Sequence, residues 1–263
     1  MKQPSTVLIT GGTSGIGFAL AEIFARSGHN LALIGRNLQS LKNIRDRWQE
    51  QYGINVKYCM KDLAVSTTPD EVYQSIQSEM IDIDILVNNA GFGLVGNFSD
   101  QNLADQLEML QVNITSLTHL TRLLLPEMLR RKEGRILNVA STAAYLPGPS
   151  MAVYYATKAY VLSFSQALSE ELRGTGVTVT ALCPGPTKTN FQERAGMTNT
   201  KLLKRMALME ARDVAEAGYR GLMNGKSVVI PGFMNKLSAQ ATRLAPRMLL
   251  ARIAHALHGA DNV

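Results

Sequence analysis

The chain has 263 residues, 46% of them hydrophobic and 18% charged, with a formal net charge of +6 at pH 7. That length can bury one sizeable core and suits a single α/β domain; the lack of any run of about eighteen apolar residues argues against a spanning helix. Cys59 and Cys183 both fall in predicted strands and read as buried free thiols rather than a disulfide, and the four scattered histidines form no metal-ligand cluster.

In chain order, Met1-Lys2-Gln3-Pro4 leads at once into the first strand, which leaves no room for a signal peptide and gives a cytoplasmic expectation. Predicted strands lie near 6–10, 30–35, 55–60, 84–88, 134–140, 177–183 and 227–230. Predicted helices lie near 15–28, 37–52, 69–80, 100–131, 152–173 and 211–224. This alternation implies a doubly wound, Rossmann-type parallel sheet with helices on both faces. Right-handed crossovers then place a ligand crevice at the carboxyl ends of the strands. Thr10, Asn88, Ser141 and Pro184 all fall at such ends.

The first strand, Thr6 to Thr10, runs into Gly11-Gly12-Thr13-Ser14-Gly15-Ile16-Gly17. The helix behind it carries an apolar stripe of Ile16, Ala19, Leu20, Ile23 and Phe24. Glycines between strand and helix allow a tight turn and close backbone approach to a phosphate, and the helix start offers free N–H groups and a positive dipole end. The second strand ends in Gly35-Arg36. An acid there would hold the ribose hydroxyl of NAD, whereas the Arg36 guanidinium suits the 2′-phosphate of NADP. Asp62 closes the third strand, where it reads either as a cap or turn residue or as part of the cofactor site. Farther on, Tyr154-Tyr155-Ala156-Thr157-Lys158 follows Ser141 by thirteen residues. On a helix, Tyr154 and Lys158 are i,i+4 neighbours, and an ammonium beside a phenol lowers the phenol's pKa toward working pH. Tyr155 lies at i,i+3 to the same lysine.

The T-G-x-x-x-G-x-G loop, Asn88-Asn89-Ala90-Gly91, Asn113, Ser141, Tyr154, Lys158 and Pro184-Gly185 together closely resemble the short-chain dehydrogenase/reductase family over about residues 5 to 232. The resemblance implies a nicotinamide cofactor and hydride transfer between a carbonyl and its alcohol. It implies a cofactor site of Gly11, Thr13, Ser14, Gly15, Ile16, Gly17, Arg36, Asp62, Leu63, Asn89, Ala90, Gly91, Pro184, Gly185, Thr187 and Thr189, together with Tyr154 and Lys158. NADP(H) is the expected cofactor, and Ser14, where some relatives carry a second basic residue, is the one departure from that pattern. The implied catalytic set is Asn113, Ser141, Tyr154 and Lys158. Tyr154, chosen over Tyr155 by family spacing, is the proton donor to a small-molecule carbonyl that Ser141 polarises. Lys158 tunes Tyr154 and holds the nicotinamide ribose, and Asn113 holds a water linking Lys158 to solvent. The family pairs its helices near 100–131 and 152–173 into homodimers or homotetramers. The alternative is a non-catalytic NADP(H)-binding regulatory or scaffold protein of the same fold.

Three segments are expected to line an apolar pocket: 92–98, 142–153 and 191–209. They supply Phe92, Leu94, Tyr145, Leu146, Met151, Val153, Phe191, Met197, Leu202 and Leu203, suited to a bulky or long-chain substrate. Residues 186–210 read as a lid. Residues 1–232 then form the catalytic domain and 233–263 a helical extension. Residues 201–263 contain ten Lys/Arg and four Asp/Glu, a balance of 10 − 4 = +6, equal to the net charge of the whole chain. Leu237, Ala241 and Leu244, then Leu249, Leu250, Ile253, Ala254 and Leu257, continue at helical spacing, and Pro246 divides them into two short helices. Packing on its own subunit or a partner is the expectation for this tail, with peripheral contact to an anionic membrane as the alternative. Without aromatic interleaving, nucleic-acid binding is not expected.

Overall fold

The computed structural model describes residues 4–196, 208–242 and 246–258. Seven strands make one parallel sheet in the order β3-β2-β1-β4-β5-β6-β9. They are β1 (Thr6–Thr10), β2 (Asn30–Gly35), β3 (Val56–Met60), β4 (Ile85–Asn88), β5 (Gly134–Val139), β6 (Val177–Leu182) and β9 (Val228–Val229). A separate two-stranded parallel ladder joins β7 (Thr187–Lys188) to β8 (Met209–Glu210). The expected strands all form, with shifts of one or two residues at their ends.

The central strands β1, β2 and β4 are apolar on both faces because helices cover both. On one face Leu8, Ala32, Ile34, Leu86 and Ile136 meet α3 (Thr68–Ser78) and α5 (Leu117–Arg131) through Val72, Ile76, Leu120 and Leu124. On the other, Val7, Ile9, Leu31, Leu33 and Val87 meet α1 (Gly15–Arg26) and α2 (Leu38–Tyr52) through Leu20, Phe24, Leu41 and Trp48. The period of two along each strand thus feeds two cores rather than one core and one wet face. Strand register aligns the carboxyl ends: Thr10 pairs with Ile34, and Asn88 with Asn138. Cys59 and Cys183 are free thiols, Cys183 buried and Cys59 half-buried.

Two departures from the sequence reading bear on the site. The expected helix 100–131 is three pieces: α4 (Leu103–Leu110), a π-helical turn (Gln111–Ser116) and α5. Asn102 starts α4 by accepting the Ala104 N–H at 2.7 Å. The π turn, a widened helical geometry common at functional sites, carries Asn113. The second departure is a short helical turn, α7 (Phe191–Arg194), within the expected lid. At the ends of that segment, the β7–β8 ladder ties Thr187 to Met209, and Lys188 pairs with Glu210. Between α5 and α7 lies α6 (Ala152–Glu171); beyond β8 lie α8 (Ala211–Met223), α9 (Phe233–Ala241) and α10 (Arg247–His258). The last two are the helices expected on either side of Pro246.

Candidate active site

The cleft starts where β1 ends. Thr10 Oγ1 donates to the Val87 carbonyl at 3.4 Å and accepts the Asn89 and Ala90 N–H groups, each at 3.0 Å. Asn89 Nδ2 donates back to the Thr10 and Gly11 carbonyls at 3.0 and 3.1 Å. These bonds lock the ends of β1 and β4 together. They also explain two glycines. Gly11 has φ +64, in the left-handed region, and a Cβ on Gly17 would lie 2.3 Å from both Asn89 Nδ2 and the Gly11 carbonyl. Gly17 therefore supports the turn from behind. Ser14 caps α1 without a side-chain hydrogen bond, so its hydroxyl does not occupy the first-turn N–H groups. A glycine cradle opening on a helix start that carries no acid fits a pyrophosphate.

At the next strand end, Arg36 and Asp62 face each other at 3.7 Å, both partly exposed. Asp62 also accepts the Ala64 N–H at 3.0 Å, so its turn role and its place in the cleft coexist. Lys61, beside it, lines the same cleft and pairs with Glu71 at 2.5 Å. Sequence reasoning passed over Lys61, whose only signal was a cation next to the Asp62 strand end.

Ser141 leaves β5 in an extended conformation and caps a 3-10 turn, Thr142–Tyr145, by accepting the Ala143 N–H at 3.1 Å. Tyr154 comes from the first turn of α6, with its ring against Phe191 at 5.3 Å between centroids. A hydrogen bond joins Tyr154 to Ser141. Lys158, one turn later, is buried; its Nζ donates to the Val139 carbonyl at 2.8 Å and stands 5.8 Å from the centre of the Tyr154 ring. Gly91 keeps the space in front of it open, since a Cβ there would lie 3.0 Å from Asn113 Oδ1 and 3.4 Å from Lys158 Nζ.

The electrostatics differ from the sequence expectation. Burial pushes the Tyr154 phenol up to about 12, with the Ser141 hydrogen bond pulling the other way. Burial pulls the Lys158 ammonium down to about 8. In each case the leading cause is removal of the group's own charged form from water, which raises a phenol and lowers an ammonium. Tyr155 also borders the cleft. Its ring packs under Gly148, where a Cβ would meet it at 2.4 Å, and burial raises its pKa as well.

Asn113 lies behind this wall rather than in it. Its Oδ1 accepts the Phe92 N–H at 3.1 Å, while Nδ2 donates to the Phe92 carbonyl at 2.9 Å and to Thr157 Oγ1 at 3.1 Å. Thr157 Oγ1 in turn donates to the Tyr154 carbonyl at 2.7 Å. The Asn113 amide thus fixes the π turn to α6. Thr157, a buried hydroxyl one residue before Lys158, was the signal for this link. Asn88 is likewise structural, donating to Thr121 Oγ1 and Asn138 Oδ1 at 3.0 and 2.9 Å.

One continuous cavity of about 670 Å³ runs past these groups, from Arg36 and the glycine turn to Ser141, Tyr154 and Lys158. Of the expected cofactor residues, all but Gly17 border it. Thr189 roofs the glycine turn, its Cγ2 lying 3.0 Å from a Cβ built on Gly15, while Thr187 bonds its own loop at Gly185. The expected apolar lining is only partly right. Leu146, Met151 and Phe191 border the cavity, but Phe92, Leu94 and Val153 pack against the core beneath it, and the Tyr145 hydroxyl points to Cys183 Sγ at 3.9 Å. Period and loop position alone do not tell core from cavity on so short a segment. Met197, Leu202 and Leu203 lie outside the described residues.

The tail completes the cleft. Asn235, Ser238, Ala239 and Thr242 along α9, then Leu250 and Ala254 on α10, border the same cavity. Asn235 sits against Gly185, where a Cβ would be 2.5 Å from its amide, and donates to the Pro231 carbonyl at 2.8 Å. The expectation that the extension packs on its own subunit is met.

This arrangement of glycine turn, Ser141, Tyr154 and Lys158 lies within a match to the short chain dehydrogenase family profile, which spans residues 5–200. The chain belongs to that family. Among its relatives is an oxidoreductase of Staphylococcus epidermidis, 34% identical over 215 residues, which cover 82% of this chain and 89% of that protein. A short-chain dehydrogenase from Sphingobium yanoikuyae, solved in complex with NADPH, is 32% identical, with a TM-score of 0.81 over 98% of this chain and 100% of that one. A bulky-bulky ketone specific alcohol dehydrogenase from Comamonas testosteroni is 31% identical, with a TM-score of 0.77 over 91% of this chain and 93% of that one. This short-chain dehydrogenase is therefore an oxidoreductase with a nicotinamide-type cleft. Among the described residues no cluster could hold a metal ion, and no helix is long and apolar enough to cross a membrane.

Proposed function

We propose that this short-chain dehydrogenase interconverts a bulky apolar ketone or aldehyde and its alcohol with NADP(H). The observation that carries the reading is the single cavity joining Arg36 and the glycine turn to a Ser141–Tyr154–Lys158 wall, beside the apolar side chains of Leu146, Met151, Phe191 and Leu250. A bound nicotinamide dinucleotide would supply or accept the hydride. The first-turn N–H groups of α1 would hold its pyrophosphate, and Arg36 its 2′-phosphate, exchanging a weak pairing with Asp62 for a phosphate contact. Asp62 and Leu63 would lie at its adenine edge, Asn89, Ala90 and Gly91 along its length, and Thr187 and Thr189 over the nicotinamide.

In the reducing direction, Ser141 Oγ donates to the substrate oxygen and Tyr154 transfers its proton to it. Donors aimed at the developing alkoxide stabilise the transition state more than the carbonyl. A phenol held up to about 12 stays protonated throughout the neutral range and is available as the acid. Lys158 supplies positive charge beside the ribose and the departing proton, as long as the pH lies below its lowered pKa. Residues 1–232 form the catalytic domain in this reading, and 233–263 an extension that adds a wall to the substrate end. Exposed Leu103 and Leu107 on α4 and Tyr160 on α6 support a homo-oligomer paired through these helices, which light scattering would test.

The deciding experiment is steady-state oxidation of NADPH and of NADH with a series of ketones graded from small to bulky. The reading expects kcat/KM to rise with apolar bulk and to favour NADPH, with Arg36→Asp inverting the cofactor preference. Turnover confined to small polar carbonyls would discard the apolar pocket, and unchanged preference in Arg36→Asp would discard the 2′-phosphate role.

A further inference from the structure

We infer that α9 and α10 dock this protein on an anionic lipid surface through the face opposite the cleft. Each helix has two unlike sides. On α9, Asn235, Ser238, Ala239 and Thr242 follow i, i+3, i+4, i+7 spacing and border the cavity. Around the helix from them stand Phe233, Met234 and Leu237, which are 79%, 67% and 53% exposed. On α10, Leu250 and Ala254 turn inward, and Met248 and Leu249 are 72% and 48% exposed. Single exposed apolar side chains are ordinary on any protein. Five large ones on two consecutive helices, whose other sides are already occupied, mark an interaction surface.

Charge selects the occupant. Among the described side chains of α9 and α10 the Lys and Arg cations are Lys236 and Arg252, and residues 233–258 hold no acidic residue. Lys236 and Arg252 are exposed beside the apolar side chains. A second copy offering the same face would set cations against cations with no carboxylate between them. An anionic bilayer offers both what the apolar side chains and what the cations require. Because the inner sides of these helices wall the cleft, docking would place the two helices between the substrate end of the cavity and the lipid. The docking itself does not depend on the proposed reaction, and its test reads no turnover.

The test is cosedimentation of the full chain with vesicles made of equal parts phosphatidylcholine and phosphatidylglycerol, against vesicles of phosphatidylcholine alone. Expected are binding to the anionic vesicles only and its loss between about 0.1 M and about 1 M salt, as the screening length falls from about 10 Å to about 3 Å. The double variant Phe233→Ser/Leu237→Ser should lower the partition coefficient at least about tenfold, with an unchanged melting temperature. A second variant, Lys236→Glu/Arg252→Glu, alters only exposed side chains and should lower it roughly fivefold per cation. No binding to anionic vesicles, or undiminished binding by both variants, would overturn the inference. So would a wild-type oligomer that either variant dissociates, since that would make the face a contact between copies.

Discussion

Replacing Lys158 with methionine keeps the length of the side chain and removes its charge. In the fold, burial lowers the ammonium pKa from 10.5 to about 8, a difference of about 2.5 units, or about 3 kcal/mol at 1.36 kcal/mol per unit. The unfolded chain keeps the higher value. Below pH 8 both states of the wild type carry the proton, and the fold bears the full cost of a buried ammonium. Between about 8 and 10.5 the unfolded state holds the proton and the folded state does not, so wild-type stability rises with pH. Above 10.5 the cost is gone. Loss of the bond to Val139 and changes in packing in the methionine variant do not follow this pH course; Cys183, whose thiol the Lys158 charge lowers, is replaced by serine in both proteins to remove its titration. Urea unfolding of both at pH 7 and pH 10.5 should therefore show the wild type gaining about 3 kcal/mol on the variant. Stability curves that stay parallel across this window would refute a desolvated lysine at this position.

The same lowered pKa predicts that reduction by the wild type declines as pH rises through about 8, and that this limb moves upward in Lys158→Arg; a limb that stays in place belongs to another group. Tyr154→Phe should abolish turnover while leaving dinucleotide binding measurable by fluorescence titration, and Tyr155→Phe should keep most activity. The reverse pattern would transfer the acid to Tyr155. Gly17→Ala forces a Cβ to within 2.3 Å of Asn89 and the Gly11 carbonyl and should weaken cofactor binding at least about tenfold, as buried hydrogen bonds at the turn are lost. Gly53→Ala, at φ +65 with nothing within 4 Å, should cost only about 1 kcal/mol in thermal stability and leave cofactor binding intact. Thr157→Val cuts the link from Asn113 to the Tyr154 carbonyl and should destabilise the fold by about 1–3 kcal/mol in denaturant unfolding.

Much of this protein was legible in one dimension because its signals are local. Short β-branched runs and apolar stripes of period 3.6 fixed the alternation, and alternation with right-handed crossovers fixed the parallel sheet and the side on which its crevice opens. Gly11 to Gly17 announced themselves by spacing, since a phosphate turn is defined over a few residues, while Ser141 and the choice of Tyr154 over Tyr155 beside Lys158 came from the resemblance to the family. What required the tertiary structure depended on partners far apart in sequence. Thr10 and Asn89 are bonded across 79 residues and Asn113 and Thr157 across 44, so neither the turn's locking nor the committed Asn113 amide had a local signature. Burial of Lys158 against Val139 follows from β5 lying behind α6. Whether an apolar loop residue faces core or cavity separates Phe92 from Phe191, although both sit in loops expected to line the cleft. The two tail helices could be read from Leu237 to Leu257 with Pro246 between them. That one side of them walls the cleft while the other holds Phe233 and Met248 in solvent was decided only when the chain folded back on Gly185, because amphipathic spacing fixes which residues share a side and not what that side meets.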